Sequence, residues 1–204
     1  MAAPNKNVVF DVVGTLVSYD HLYEAIKKRL GHKLIPQGIQ PTLLGICWLE
    51  MAEREYTYLS LHGQYVQFLK LFEALFYRCL HYAGIENPRS FATAEDVDSL
   101  MHEFKELKLT DGAAECIQKP RDAGFTVWCF TTGDISLLVR GCASLGRVWG
   151  AVIWDIINMR CCGFDTAYST VLEGEYLSEI HGELDVVAET LPAMADKIIT
   201  ASKQ

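Results

Sequence analysis

The sequence lacks both a long apolar run and an excess of positive charge. Half of its residues are apolar and 22% are charged, yet no apolar stretch approaches the roughly 18 residues that a membrane span requires. The net charge of −8 would repel phosphate backbones, and basic residues form no stripe beyond residues 27–29. The opening MAAPNKNVVF has no basic segment followed by an apolar one, as a signal peptide has. We therefore expect a globular, cytoplasmic protein that binds neither nucleic acid nor membranes.

The sequence also lacks the cysteine and histidine spacings of metal sites. Its seven cysteines are scattered, with no Cys-x-x-Cys pair and no histidine at metal-finger spacing. We expect reduced cysteines that lie mostly in the core, and we predict neither a metal nor a cofactor. The expected partner is a small-molecule substrate, and a homodimer is left open.

Several short apolar runs predict buried parallel strands. Residues 8–13 are rich in β-branched side chains and are followed by Gly14, where the chain must turn. Similar runs cover residues 125–132, 148–155 and 164–169, and helical patterns lie between them. The chain is long enough for one α/β domain that carries a helical insertion. We predict a Rossmann-like parallel sheet.

The segment between the first two predicted strands has helical periodicity. Apolar residues recur at helical spacing from about residue 42 to residue 83, and Thr93 with Asp96 forms a capping-box pattern before a further helix. Its aromatic residues are more typical of packing between helices than of a ligand site, although one edge could line a pocket. We expect a helical cap over residues 21–104, inserted into a core of residues 1–20 and 105–204.

Polar groups end three of the predicted strands. Asp11 ends the first, Thr131 and Thr132 end the second, and Asp155 ends the third. Ligands of an open parallel sheet bind beyond these carboxyl ends. An unpaired carboxylate in an apolar setting costs several kcal/mol, so Asp11 is expected to face a cleft. Carboxylates there can act as nucleophiles or bases, and hydroxyls and turn amides can hold an anion.

The candidate site residues follow from these strand ends and from nearby aromatic side chains. We expect Asp11, Thr131 and Asp155 to be catalytic, and Thr132, Gly133, Asp134, Tyr19, Trp48 and Trp154 to bind substrate. For Asp134 and Asp155, the capping of a helix N-terminus is the alternative role.

Three motifs, VVFDVVGTL, FTTGD and WDIINMRCCGFDTAY, occur in an order that resembles the haloacid dehalogenase superfamily. The similarity is to its type II 2-haloacid dehalogenase branch, particularly the dehalogenase-like proteins of fungi, and it covers nearly the whole chain. The resemblance implies a Rossmann-like sheet with a helical cap. It also implies that Asp11 is the nucleophile, which displaces halide and forms an ester that water hydrolyses.

The anion-binding groups that this resemblance implies are mostly replaced. Leu49 or Glu50 occupies the position of the family's cap arginine. Thr131 and Thr132 occupy the positions of a Ser-Asn pair. Another Ser and Asn, just before Trp154 and Asp155, are replaced as well, by Gly150 and Val152. A short 2-haloacid is therefore a poor expected substrate.

The family's lysine, part of a Lys-Pro pair, has no counterpart at the expected place. Only the 22 residues 132–153 separate Thr131 from Trp154, too few for the further strand and helix that carry it. We therefore expect a core that is one βα unit short. A Lys119-Pro120 pair lies earlier in the chain, where Pro120 is predicted to end a helix and Lys119 to lie on the surface.

The phosphatase branch of the superfamily uses a second aspartate two residues after the nucleophile, beside a bound magnesium ion. Val13 occupies that position. Valine can neither transfer a proton nor bind a metal usefully, so neither phosphoryl transfer nor magnesium dependence is expected.

Three hypotheses about function remain open. The first is a non-hydrolytic biosynthetic enzyme that uses an apolar pocket for isomerisation, cyclisation or cycloaddition. Orientation alone can supply roughly 7–11 kcal/mol, which favours this hypothesis chemically. The second is a hydrolase with Asp11 as nucleophile, which the frequency of hydrolases among fold relatives favours by analogy. The third is an inactive relic or a truncated gene product.

Overall fold

The structure, a computed structural model, describes residues 6–131, 147–150 and 153–202, with the backbone alone for 147–150, Trp154 and Asp155. These residues fall into two compact units. One contains the described residues up to Ser18 and from Lys108 onward, and the other is Tyr19–Leu107. We refer to them as the core unit and the cap unit. Tyr19, which was expected in the core, thus belongs to the cap unit.

The core unit contains a parallel sheet and a small antiparallel pair. The strands are β1 (Asn7–Asp11), β2 (Val17–Ser18), β3 (Lys108–Leu109), β4 (Thr126–Phe130), β5 (Arg147–Gly150), β6 (Thr166–Ser169) and β7 (Val186–Ala188). The five-stranded sheet has the order β4-β1-β5-β6-β7, and each of its neighbouring pairs is parallel. All its carboxyl ends therefore lie at one edge.

Nine α-helices lie in the described residues. The cap unit has α1 (Asp20–Leu34), α2 (Pro41–Leu61), α3 (Phe68–Tyr82), α4 (Pro88–Phe91) and α5 (Ala94–Lys105), and the core unit has α6 (Ala113–Asp122), α7 (Ile153–Cys161), α8 (Ser178–His181) and α9 (Leu191–Ala201). None of them is long and apolar enough to cross a membrane.

The interior of the core unit lies between the sheet and its helices. Val8 and Phe10 of β1 are fully buried and belong to one apolar cluster with Leu191, Met194 and Ile198 of α9. These α9 residues recur every three to four positions, so they form one face of the helix. Burial of this face fixes α9 against the sheet.

The cap unit is held by aromatic packing. The ring of Trp48 on α2 stacks on Phe72 of α3 with centroids 3.7 Å apart, and its Nε1 donates to the Phe72 carbonyl oxygen at 2.7 Å. Trp48 is fully buried. Buried indole groups need a partner for their N–H, and this bond supplies it. Trp48 therefore packs two helices together, and its expected role in substrate binding stays a prediction.

Asp96 connects α5 to α1. Its Oδ1 accepts a 2.6 Å bond from Arg29 Nε, and its Oδ2 accepts a 2.9 Å bond from the Thr93 backbone N–H. The Thr93 hydroxyl in turn accepts from the Asp96 N–H, so the predicted capping box is present. Burial acts to raise the pKa of Asp96, but the bonds from Arg29 and Thr93 outweigh it and hold this pKa below its ordinary value.

The structure corrects two predictions about where secondary-structure elements end. Strand β5 ends at Gly150, and helix α7 begins at Ile153. Trp154 and Asp155 therefore lie in the first turn of a helix, and Asp155 does not end a strand. The run AVIW is apolar throughout, and periodicity alone cannot assign such a short run to a strand or a helix.

Pro120 likewise lies inside α6 and does not end it. The helix continues to Asp122, and the Pro120 carbonyl accepts from the Phe125 N–H at 2.9 Å. Lys119 forms ion pairs with Glu115 and Asp196, at 3.0 and 2.8 Å, and so links α6 to α9.

The predicted loss of a βα unit stays a prediction. Residues 132–146 between β4 and β5, where the unit would be missing, lie outside the described residues. Among the described strands, β5 pairs directly with β1, and β4 is at an edge of the sheet.

Acid should weaken the bonds of Asp96. Because its folded-state pKa is depressed, its contribution to stability is present above the ordinary value of 3.8 and is lost as pH falls through the folded-state pKa. We expect Asp96→Asn to reduce the free energy of unfolding by about 1.5–3 kcal/mol at pH 7. The difference from the wild type should shrink below pH 3.8. Urea unfolding at several pH values measures this, with Asp98→Asn as an exposed control; a difference independent of pH would contradict it.

Candidate active site

Asp11 is the last residue of β1, in the interior of the sheet. It is 8% exposed, and its Oδ2 accepts a 2.7 Å hydrogen bond from the hydroxyl of the fully buried Thr15. Strand β1 is hydrogen-bonded on both sides, to β4 and β5. A carboxylate in such a setting requires hydrogen-bond donors, because its desolvation is otherwise too costly. The Thr15 hydroxyl is one of these donors.

A tight turn brings Thr15 back onto Asp11. Gly14 has a φ of 90°, a region that residues with a Cβ rarely adopt. Its N–H donates to the Val17 carbonyl at 2.8 Å, and the Val17 N–H donates to the Val12 carbonyl at 2.9 Å. Gly14 and Thr15, which follow Asp11 in the sequence, thus have two separate roles. The glycine makes the turn, and the threonine donates to the carboxylate.

Thr131 lies at the same edge of the sheet as Asp11. Asp11 pairs in register with Phe130, the last residue of β4, and Thr131 follows directly. The structure therefore brings the ends of β1 and β4 together, as the sequence predicts. Three predicted substrate-binding residues, Thr132, Gly133 and Asp134, lie outside the described residues.

Val13 is half-buried in the turn after Asp11 and forms a bridge with Val17. Its side chain offers neither a proton nor a metal ligand. Among the described residues, no group of three or more His, Cys, Asp or Glu side chains is placed to hold a metal ion. The absence of magnesium chemistry stays a prediction that rests on Val13.

The start of helix α7, which contains Asp155, is held by a glutamate from a later loop. The Ile153 N–H donates to Glu173 Oε1 at 3.3 Å, and the Tyr168 hydroxyl donates to Glu173 Oε2 at 2.6 Å. Burial, together with the bond to Glu173, raises the pKa of Tyr168. Glu173 thus accepts from the first turn of α7 and from strand β6 at once. The sequence did not predict this contact, because the sequence around a loop glutamate does not indicate which backbone N–H group donates to it.

The remaining candidates belong to the cap unit. The Tyr19 ring stacks on Phe104 at 6.4 Å, and its hydroxyl donates to Glu53 at 3.4 Å. At the positions of the family's cap arginine, Leu49 is buried and Glu50 is exposed.

A family model for haloacid dehalogenase-like hydrolases matches residues 6–198. The chain belongs to this family. No curated protein matches the chain in sequence. The described core agrees with this assignment, because it is a parallel sheet with an aspartate at the end of a central strand.

Solved structures of dehalogenases have the same fold. The L-2-haloacid dehalogenase RSc1362 has a TM-score of 0.79 and 13% identity, over 97% of this chain and 100% of that one. A structure described as a dehalogenase has a TM-score of 0.72 and 18% identity, over 95% and 97%. The L-2-haloacid dehalogenase from Xanthobacter autotrophicus has a TM-score of 0.71 and 13% identity, over 95% and 98%. The predicted superfamily and the α/β fold with a helical cap are confirmed, whereas the type II branch stays a prediction.

Removal of the Thr15 hydroxyl should destabilise the end of β1. Thr15→Val keeps the side-chain shape but leaves the buried carboxylate of Asp11 without this donor. We expect the free energy of unfolding to fall by about 1.5–3 kcal/mol. Thr15→Ser retains the hydroxyl and is the matched control, with a smaller loss. Urea denaturation followed by circular dichroism measures both, and equal midpoints for the valine variant and the wild type would refute this role.

Proposed function

We propose that the protein is a hydrolase in which Asp11 attacks an electrophilic carbon of an uncharged small molecule. The observation that carries the proposal is the position of Asp11, buried at the carboxyl end of a central strand with the Thr15 hydroxyl 2.7 Å from its Oδ2. This bond orients the carboxylate before substrate arrives, so less ordering is needed during the reaction. Membership in the haloacid dehalogenase-like hydrolase family supports the same role.

The reaction has two steps. A carboxylate oxygen of Asp11 attacks the substrate carbon, and the carbon–halogen bond breaks with its electron pair leaving as halide. Water then adds to the side-chain carbonyl carbon of the resulting ester, the alcohol leaves, and one proton goes to solution. Asp11 is regenerated, and the net change is the conversion of an alkyl halide and water into an alcohol, halide and a proton.

An uncharged substrate is proposed because the groups that would bind a carboxylate are replaced. Leu49 or Glu50 stands at the position of the family's cap arginine, and Val152 replaces an asparagine. Neither residue has the positive charge that would hold the carboxylate of a 2-haloacid, whereas a neutral amide needs no such charge.

A second candidate is non-hydrolytic catalysis in a cytoplasmic biosynthetic pathway, by isomerisation, cyclisation or cycloaddition. The replacement of the family's anion-binding groups, with Thr132 and Val152 at two of their positions, favours it, because a pocket can catalyse by orientation alone. In that case Asp11 would only accept hydrogen bonds. An asparagine could largely replace it, at a cost of about 10- to 150-fold in turnover.

Paired substrates test the proposal directly. We expect 2-chloropropionamide to release chloride and 2-chloropropionate to release none above background, because the two differ chiefly in charge. Asp11→Asn should reduce turnover of the amide by more than about a thousandfold, since it removes the attacking atom. Ion chromatography measures chloride, and circular dichroism checks that the variant is folded. Faster release from the acid would refute the preference for neutral substrates, and an active Asp11→Asn variant would refute the nucleophile.

Chelation should not affect this activity. Val13 stands where a second aspartate would act beside magnesium, so we expect equal turnover with EDTA and with added magnesium. A loss of turnover in EDTA that magnesium restores would contradict this expectation. Introduction of the acid by Val13→Asp provides a matched comparison in the same assay.

A further inference from the structure

Glu173 is bonded to a tyrosine that lies level with Asp11 at the edge of the sheet. The register between β1 and β5 sets Asp11 beside Gly150, and Gly150 pairs with Tyr168 on β6. Neighbouring strands are about 4.8 Å apart, so the backbones of Asp11 and Tyr168 are separated by about 10 Å. The Tyr168 hydroxyl donates to Glu173 Oε2 at 2.6 Å. The loop glutamate is therefore tied to the strand ends that form the candidate site.

Asp11 and Tyr168 also point to the same face of the sheet. Phe10 and Ala167, the residues directly before them, belong to one apolar cluster with the residues of α9. Because side chains alternate along a strand, Asp11 and Tyr168 project from the face opposite this cluster. Glu173, whose carboxylate is bonded to the end of the Tyr168 side chain, lies on that face as well.

No positive side chain neutralises Glu173 within the described part of the chain. None of the ion pairs there includes it, and the residue is exposed. Both of its oxygens act as acceptors, one from the Ile153 N–H at 3.3 Å and one from the Tyr168 hydroxyl. An ionised carboxylate, which has no proton to donate, suits this arrangement. Glu173 therefore adds a fixed negative charge to the face that contains Asp11.

The N–H group that Glu173 accepts from belongs to the first turn of α7. The first turn of a helix attracts anions, because its N–H groups lack partners within the helix and its dipole is positive there. In this chain the protein's own carboxylate occupies that N–H. An incoming carboxylate would compete with Glu173 for the bond and would be repelled by its charge, whereas a neutral amide group would not be repelled.

We propose that Glu173 is a specificity-determining residue whose charge keeps anionic substrates away from Asp11. The inference rests on the proposed function, because it names the group that makes an uncharged substrate preferable. Two unit charges about 10 Å apart near a protein surface repel each other enough to weaken binding roughly tenfold. The loss of the family's anion-binding groups removes an attraction, whereas Glu173 adds a repulsion. Removal of this one charge should therefore improve the acceptance of acids.

Glu173→Gln removes the charge and can keep both hydrogen bonds. The glutamine oxygen can accept from the Ile153 N–H, and its amide group can donate to the Tyr168 hydroxyl, which then acts as acceptor. Glu175→Gln is the matched control, because it removes the same charge from an exposed position of the same loop. Glu173→Asp keeps the charge and should keep the exclusion of acids.

Turnover of the paired substrates gives the first measurement. We expect kcat/KM for 2-chloropropionate, relative to that for 2-chloropropionamide, to rise at least about tenfold in Glu173→Gln, and to stay at the wild-type value in Glu175→Gln. Added salt should shrink the difference between Glu173→Gln and the wild type, since screening weakens the repulsion. A change that salt does not affect would indicate a structural role of Glu173 and would contradict the proposal.

Binding of propionate, which cannot react, separates this inference from the proposed function. Calorimetric titration of the full chain should show propionate bound at least about tenfold more tightly by Glu173→Gln than by the wild type or by Glu175→Gln, with propionamide bound equally by all three. This result without chloride release from either substrate would refute the proposed function and leave the role of Glu173 intact. Circular dichroism checks folding, and Glu173→Ala replaces the glutamine variant if that one does not fold. Propionate affinity that is equal in Glu173→Gln and the wild type would overturn the inference. So would an equal gain in Glu175→Gln, since net charge alone would then explain it.

Discussion

The hydrogen bond between Thr15 and Asp11 is the interaction on which the account of this protein depends. A carboxylate at the end of a strand with neighbours on both sides is tolerable only when donors replace lost water. The turn at Gly14 supplies one such donor by folding Thr15 back onto the strand that precedes it. The hydrogen bond that offsets the cost of burying Asp11 also fixes the orientation of its carboxylate oxygens. Stability and reactivity therefore rest on the same few residues.

Each strand end contributes a different part of the candidate site. Strand β1 contributes Asp11, β4 places Thr131 beside it, and α7 is the next described element along the chain after β5. Glu173 holds the first turn of α7, so the position of that helix depends on a loop beyond β6. In the proposed mechanism, Asp11 can still attack although the family's anion-binding residues are replaced. A different choice of substrate is then expected, because selectivity depends on the groups that surround the nucleophile.

Sequence patterns predicted β1, the cap helices and the capping box of Thr93 and Asp96, because each has a local signature of periodicity or capping. The predictions were wrong where the same local pattern is compatible with two different secondary structures. The run before Asp155 is apolar in either a strand or a helix, and Pro120 breaks a helix in most contexts but is tolerated two residues before the end of α6. The contact of Glu173 with α7 depends on the tertiary fold, so no local pattern could have predicted it.

The origin of the oxygen in the product tests the central claim most directly. One turnover of 2-chloropropionamide in heavy-oxygen water, with enzyme in excess, is followed by proteolysis and mass spectrometry of the peptide that contains Asp11. If Asp11 forms an ester that water hydrolyses at its side-chain carbonyl, the label enters the Asp11 carboxylate, and the alcohol carries unlabelled oxygen from the protein. Label in the alcohol alone, with an unlabelled Asp11 peptide, would mean direct attack by water and would contradict the proposed nucleophile.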